Sequence, residues 1–507
     1  MTVLPAEEQR RPLLAPRGKT LWNALVRFGT QFIAILVNLL ATPYIVRKLG
    51  VESFGVVGAI NVMLNFMSIV TISFTSTVGR NLTFAVERLK FEEANKELST
   101  AVYGLVCLCV IAFLPFCALS IFIDRLIIIP PQMVFDARIL SFLAFLAFGF
   151  TTISGPLGAA MFVRNRLDLF GGASLARTII FIACIVALFS VVGANLKTYG
   201  ASLLAASVAL FYIYVRIHRH LLPGIEISRR WFDRTILQGI MSLGGWLTVN
   251  QIGALLFLQT DLLVANRVLG PTAAGQLAAI SVISLQFRAL GGLVSSLFGP
   301  NQAAFAARRD LPAFSAYLFR SIRLTTLFMA VLVGVFCGSA GEVLSIWLGR
   351  EFSSLAPVAI VLTGYLVITL GVMPSWNAIL AIGKVKVPAI VTLVMGCGNV
   401  VLGIILARKM GLMGIALAGC LMLSLRNILF TPWYVSRVCS GIGLGAFLRE
   451  LIIGLAAGCM VYLVSALTVT LVRPDSLIKL ALCLLVASGV GGLLLLPFGL
   501  RSLKTGT

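Results

Sequence analysis

Apolar stretches of about 20 residues recur along the whole chain, separated by short segments rich in Gly, Pro and charge. Each stretch is long enough for a helix to cross a bilayer core of ~30 Å. The pattern predicts about 14 spans, near 20–46, 54–78, 99–123, 136–160, 171–193 and 200–217, then 236–260, 272–298, 316–338, 355–380, 388–406 and 412–434, with a final pair at 449–471 and 477–499. A basic stretch, Arg216 to Arg234, divides the sixth span from the seventh. The expectation is an all-α polytopic membrane protein. Its parts are a basic tail (1–19), a first lobe (20–217), a linker (218–235), a second lobe (236–434), a loop (435–448), the last helix pair (449–499) and a short tail (500–507).

An internal repeat organises the spans. At a shift of about 220 positions Arg47, Leu49, Gly50 and Gly55 fall on Arg267, Leu269, Gly270 and Gly275. Gly79, Asn81 and Arg88 fall on Gly299, Asn301 and Arg308, and at a shift of about 218 Pro156 falls on Pro374. Apolar coincidences are common in membrane helices, but Gly, Asn, Pro and Arg at one offset are not. The pattern predicts two parallel six-helix repeats forming N and C lobes, with the last two helices appended. Repeats of this kind move against each other around a central site in alternating-access transporters.

Composition narrows the class. Of 507 residues 59% are hydrophobic and 11% charged, with a mean hydropathy of +1.03, against about 25% charged in soluble domains. This excludes a soluble globular enzyme and a disordered chain. The net charge of +22 would suggest nucleic acid in a soluble protein, but here it follows the membrane. The N-terminal tail and alternate loops hold about 25 of the 40 Lys and Arg, and the opposite loops about 11. The excess predicts cytoplasmic termini, and no nucleic-acid partner is expected. The ten cysteines are scattered in apolar runs and fit packing better than disulfides. The basic tail ahead of a full-length first span does not have the form of a cleaved signal peptide. His218 and His220 lie in a basic loop and suit interfacial charge better than metal binding. No nucleotide, zinc-protease or hydrolase motif is present, so neither enzyme activity nor a cofactor is expected.

Polar residues within spans carry the functional signal. Arg27, Arg177, Arg288 and Arg426 each cost roughly 2.5–3.5 kcal/mol at a helix centre, so each calls for water, a partner or a ligand. Arg27, Arg177 and Arg426 lie about two turns from predicted cytoplasmic helix ends, within snorkelling reach. Arg288 lies near mid-membrane. On span one Arg27, Gln31, Asn38 and Thr42 share one helix face, and on span two Asn61, Asn65, Ser68 and Thr75 share another. Span eight aligns Ser281, Ser284 and Arg288, and span seven offers Thr248, Gln251 and Gln259. Such stripes either join helices or line a polar, cationic cavity between the halves that takes an anionic cargo. No Asp or Glu is expected well inside a span. The nearest is Asp261, at the outer end of span seven, where an ion pair with Arg267 and a coupling role both remain open. Pro43, Pro115, Pro156, Pro374 and Pro432 are expected to kink or end their helices.

The stretch from Arg47 to Gly55 (RKLGVESFG) resembles the LG-x4-G turn of polysaccharide-biosynthesis transporters. Thr260 to Gly275 (TDLLVANRVLGPTAAG) resembles the opening of that family's second half. The segment Val78 to Lys96 is similar to the first cytoplasmic loop of lipid-linked oligosaccharide flippases. These proteins belong to the multidrug/oligosaccharidyl-lipid/polysaccharide exporter superfamily. The resemblance implies a flippase of the bacterial inner membrane that moves undecaprenyl-diphosphate-linked oligosaccharide to the outer leaflet. Its partners would be the bilayer, a polysaccharide polymerase and chain-length machinery. It also implies cationic residues on helices one, two, seven and eight, a pattern that Arg27 and Arg288 match by position, so these two would pair with the diphosphate. Arg177 and Arg426 would be entrance contacts. Two other functions stay open: a multidrug exporter, which would need a buried carboxylate, and a membrane glycosyltransferase or polymerase, which would need outer-face acids such as Asp124.

Overall fold

The computed structural model describes residues 17–504 other than 165, 244, 309 and 440–442. Side chains at 17–25, 27, 70, 72–77, 80, 167, 240–243, 245, 247 and 498–504 also lie outside the description. Among the described residues there is no β-strand, and thirteen helices are long and apolar enough to span a membrane. The pair Thr248–Leu258 and Thr260–Leu269, bent by 44°, brings the total to fourteen.

The first six spans are α1 (Arg17–Leu49), α2 (Val51–Glu87), α3 (Phe91–Ile121), α4 (Val134–Val163), α5 (Leu167–Val191) and α6 (Leu196–Leu221). The seventh, α7, starts as Gly245–Leu258 and continues after its bend as Thr260–Val264 and a π-helical turn, Ala265–Leu269. Then come α8 (Pro271–Ser296), α9 (Leu311–Gly338), α10 (Ala356–Gly364 with Leu366–Gly371) and α11 (Lys386–Met410). The twelfth, α12, is Leu412–Leu425, prolonged by a π-helical turn, Arg426–Phe430, and by Thr431–Val438. The last two are α13 (Leu444–Val472) and α14 (Leu477–Lys504). Span ten departs from expectation: α10 stops at Gly371 and Pro374 opens a separate helix, Pro374–Ile382. Proline lacks the N–H that an ongoing helix needs but fits a first turn.

The chain packs as two units. The first comprises residues up to Tyr44 and Met63–Thr248; the second comprises Ile45–Val62 and Val249 onward. In the first, Leu82, Leu98, Leu105 and Met161 form a buried core with Tyr214. The linker is strapped to α3 by polar side chains that replace its missing backbone partners. Glu226 N–H donates to Asn95 Oδ1 (2.9 Å), Ser228 N–H to Ser99 Oγ (3.2 Å) and Asp233 N–H to Thr100 Oγ1 (3.0 Å). The Thr235 hydroxyl, with the amides of Thr235 and Ile236, holds the Asp233 carboxyl below the usual carboxylate range.

Within the second unit the repeat becomes visible as contacts between equivalent residues. Gly50 (φ 86°) and Gly270 (φ 97°) turn the chain in the left-handed region, which side chains avoid. Immediately beyond, Thr272 Oγ1 donates to Glu52 Oε1 across 2.9 Å and 220 residues. A Cβ on Gly55 would lie 2.6 Å from the Gly275 nitrogen, and one on Gly275 would lie 1.9 Å from the Val51 carbonyl oxygen. Residues related by the repeat thus face one another across a local two-fold axis, and only glycine lets the backbones meet. The equivalence extends along the chain. Asn81 Nδ2 donates to Glu97 Oε1 (3.2 Å) in one unit, and Asn301 Nδ2 to Tyr317 Oη (2.9 Å) at the matching positions of the other.

The last helix pair is built into the second unit. On α13, Gly454 and Gly458 meet Thr326 and Gly334 of α9 closely, and Ser465 Oγ donates to the Val335 carbonyl at 2.7 Å. Glu450, on α13 with 1% of its side chain exposed, takes a two-pronged hydrogen bond from Arg323 of α9, with Nε at 2.6 Å from Oε2. This corrects the expectation that no acid lies within a span: the charge is tolerated because a guanidinium fork saturates both oxygens. Two outcomes follow. Glu450→Ala should destabilise the protein by about 3–5 kcal/mol by stranding Arg323, and Gly275→Ala by about 1–3 kcal/mol by overpacking. Thermal unfolding of detergent-purified variants checks both; unchanged midpoints would contradict these contacts.

Candidate functional site

The second unit encloses a cavity of about 250 Å³ within its own helices, walled by residues of α7, α8, α10, α11 and α12 and of the helix Pro374–Ile382. Its polar lining is Asn250, Arg288, Thr369, Thr392, Arg426, Asn427 and Thr431, with Phe257, Trp376 and Phe430 among the apolar walls. Two guanidinium groups therefore share one small space, and no carboxylate is among its wall residues.

Each arginine is placed by a local feature of its helix. Arg288 projects from the middle of α8, and its Nη2 donates to Tyr365 Oη at 2.7 Å, with the guanidinium 5.8 Å from that ring's centroid. Arg426 opens the π-helical turn of α12, the kind of bulge that re-aims side chains and recurs at functional sites. Its Nε is buried without a partner, as is Asn250 Oδ1. Asn427 Nδ2 donates to Thr369 Oγ1 at 3.2 Å. One unpartnered donor, Arg426 Nε, thus lies with two guanidinium charges, an arrangement suited to an anion with several oxygen acceptors.

Asp261 lies next to this group, half-buried in the first turn after the α7 break. Its Oδ1 accepts from Asn399 Nδ2 at 3.2 Å, and Arg288 is close enough to attract its charge. Broken helices at ion or substrate sites are a recurrent transporter device, because the freed backbone ends need polar partners.

The other residues singled out from sequence are dispersed. Ser284 is buried one turn before Arg288 and donates to the Leu362 carbonyl at 3.4 Å. Gln251 is half-buried beside Asn250 on α7. Arg267 sits in the π-helical turn that ends α7. Asn38 turns back to its own helix, donating to the Ala34 carbonyl at 2.8 Å. Gln31 and Asn61 are half-buried and Asn65 is exposed. Arg177 belongs to the first unit, within electrostatic reach of Tyr199 and Tyr214, and its buried Nε lacks a partner. The side chains of Arg27 and Thr75 lie outside the described residues. The structure therefore joins Arg288 with Arg426 and adds Asn250, Asn427, Thr369 and Tyr365. The signal for Asn250 and Asn427 was their adjacency to Gln251 and Arg426.

Comparison with known proteins places this fold. No family model matches the chain. It is 33% identical over 446 residues, 88% of each chain, to the "Uncharacterized membrane protein EpsK" of Bacillus subtilis (strain 168). It is 25% identical over 434 residues, 83% of this chain and 98% of the other, to the "Putative O-antigen transporter" of Shigella flexneri. Among solved structures it resembles an inward-facing multidrug resistance MATE family transporter of the MOP superfamily (TM-score 0.69, 15% identity, covering 83% of this chain and 100% of that one). It also resembles the lipid II flippase MurJ in an inward closed conformation (TM-score 0.64, 15% identity, 92% and 98%).

If the cavity is an anion site, Arg288→Gln and Arg426→Gln should each weaken inorganic pyrophosphate binding by about 10- to 100-fold, the loss of a charge-assisted hydrogen bond worth about 1.5–3 kcal/mol. Calorimetric titration of the purified protein measures this. Equal affinity in all three proteins would remove the cavity from consideration.

Proposed function

Because the chain belongs to the multidrug/oligosaccharidyl-lipid/polysaccharide exporter superfamily, we propose that it is a flippase for a lipid-linked oligosaccharide. On this reading it carries undecaprenyl-diphosphate-linked glycan units from the inner to the outer leaflet of a bacterial cytoplasmic membrane, by alternating access and without chemistry on the cargo. The observation that carries the reading is the presence of Arg288 and Arg426 in one cavity whose wall residues include no acid. A diphosphate presents several charged oxygens in a compact group, and the planar guanidinium fork binds such oxygens in pairs. The neighbouring amides and hydroxyls of Asn250, Asn427 and Thr369 are donors and acceptors for the first sugar. Arg177 is assigned to the cargo's entry, and the basic excess of the termini and alternate loops favours cytoplasmic termini. The polysaccharide polymerase and chain-length machinery are the expected partners, since exported units must be joined.

Asp261 receives the coupling role in this reading. Arg288 lies close enough to offset its charge; an anion that engages Arg288 would leave the carboxylate to take up a cation. A drug exporter of the same superfamily is the second reading, favoured by this acid, since exchange against cationic drugs uses carboxylates. The two cavity arginines oppose a cationic drug and keep that reading second.

Complementation of a strain lacking its own flippase tests the proposal. The wild-type chain restores surface glycan, whereas Arg288→Ala at equal expression loses most of it. Full export by Arg288→Ala would refute the assignment, and drug resistance without glycan export would favour the second reading.

A further inference from the structure

The end of α6 that leads into the linker carries a surface that the cavity reading leaves unused. One face of α6 is buried along its length, with Ser202, Ala206, Leu210, Tyr214 and His218 packed into the first unit. The opposite face carries Val208 (41% exposed) and Tyr212 (62%), then Arg216 and Arg219, both exposed. At 100° per residue these four side chains fall within about 80° of one another. The helix thus presents in one line an aliphatic group, a phenol and two guanidinium groups. A bilayer has the same order of chemistry: acyl chains, an interface where tyrosine concentrates, then charged headgroups.

The acids nearby are already matched. Glu226 receives Arg230 Nη2 at 2.6 Å, and Asp168 receives Arg166 Nη2 at 3.0 Å. The Asp233 carboxylate accepts from the Thr235 amide at 2.8 Å. Arg216, Arg219, Arg229 and Arg234 form no ion pair among the described residues. Arg229 and Arg234 belong to a segment that Asn95, Ser99 and Thr100 hold against α3. The repeat shows that topology alone does not ask for the pair on α6. At the offset of about 220, Arg216 and Arg219 fall on Ser436 and Cys439, and Cys439 is 1% exposed. Six spans separate the equivalent positions, so both helix ends lie on one side of the membrane. A charge bias set by topology acts on both, yet only the first copy has arginines at these two positions.

We propose that this surface binds an anionic glycerophospholipid of the bilayer, with its phosphate on Arg216 and Arg219 and its acyl chains along Tyr212 and Val208. The guanidinium fork takes two phosphate oxygens at once, and Arg229 and Arg234 add to the local positive field. A nucleotide or an acidic peptide would use the charges and leave the apolar part of the line without a role. A zwitterionic lipid would bring its own cation against unpaired guanidinium groups. A phospholipid of net negative charge meets both parts of the face. The surface belongs to the first unit and does not involve Arg288 or Arg426, so it stands whatever the cargo is.

Photolabelling of the full chain in phosphatidylcholine nanodiscs tests this, with phosphatidylglycerol and phosphatidylcholine probes carrying the same acyl-chain diazirine. The phosphatidylglycerol probe labels α6 and the linker about 25-fold more strongly, about fivefold for each of Arg216 and Arg219. Arg216→Gln/Arg219→Gln brings the two probes close to parity there and leaves the thermal unfolding midpoint unchanged, since both side chains are exposed. The charge-matched control Arg308→Gln/Arg437→Gln keeps the preference. An equal loss in the control overturns the proposal, because bulk charge then explains the labelling. On the unaltered protein, phosphatidylglycerol adducts confined to other helices overturn it as well. Displacement of the lipid by soluble polyglutamate would overturn it in favour of an acidic protein partner. Displacement by an equimolar amount of undecaprenyl diphosphate would overturn it in favour of the cargo.

Discussion

A guanidinium held inside a membrane span is the constraint around which the second unit is arranged. The cost of roughly 2.5–3.5 kcal/mol per residue can be met by burying a matching acid, as Glu450 does for Arg323. Arg288 and Arg426 are handled otherwise. A tyrosine hydroxyl, a nearby Asp261 and a cavity lined by amides and threonines attend them, and the Arg426 Nε has no partner. The difference separates structure from function: one arginine is satisfied within the fold, while the cavity pair keeps capacity for an anion. The helix irregularities lie where this demand is greatest, at the break before Asp261 and the π-helical turn beginning at Arg426.

Duplication supplied the frame and divergence the chemistry. The LG-x4-G motif has a physical meaning in both copies. Its first glycine makes the left-handed turn at Gly50 and Gly270. Its second lets Gly55 and Gly275 meet at the local two-fold axis. Away from that axis the copies differ. One has Ser68 where the other has Arg288, and one has Ala112 where the other has Leu332. At the first of these positions the second unit carries a guanidinium where the first carries a hydroxyl, and that guanidinium lines the cationic cavity.

Much of the fold was legible in the sequence, because span length and the repeat offset are local or periodic signals. The broken α7 was not, since it depends on backbone hydrogen bonding that hydropathy does not register, whereas Pro374 marked the interruption of span ten. Depth counting identified Arg288 but set Arg426 near an entrance, about two turns from a predicted end at 434. The helical path of α12 in fact runs through its π-helical turn to Val438, which sets Arg426 about a turn deeper. The partnerships of Arg323 with Glu450 and of Asp261 with Asn399 span 127 and 138 residues. No spacing rule reaches across such separations, so the acids looked either peripheral or unremarkable.

The central claim is that Arg288 and Arg426 jointly hold a diphosphate. Solid-state NMR on protein in lipid bilayers, with guanidinium nitrogens labelled and undecaprenyl diphosphate bound, measures it directly through dipolar coupling between arginine nitrogen and ligand phosphorus. The account predicts two short nitrogen–phosphorus contacts, one lost in Arg288→Gln and the other in Arg426→Gln. Bound diphosphate whose phosphorus couples to neither arginine would contradict it.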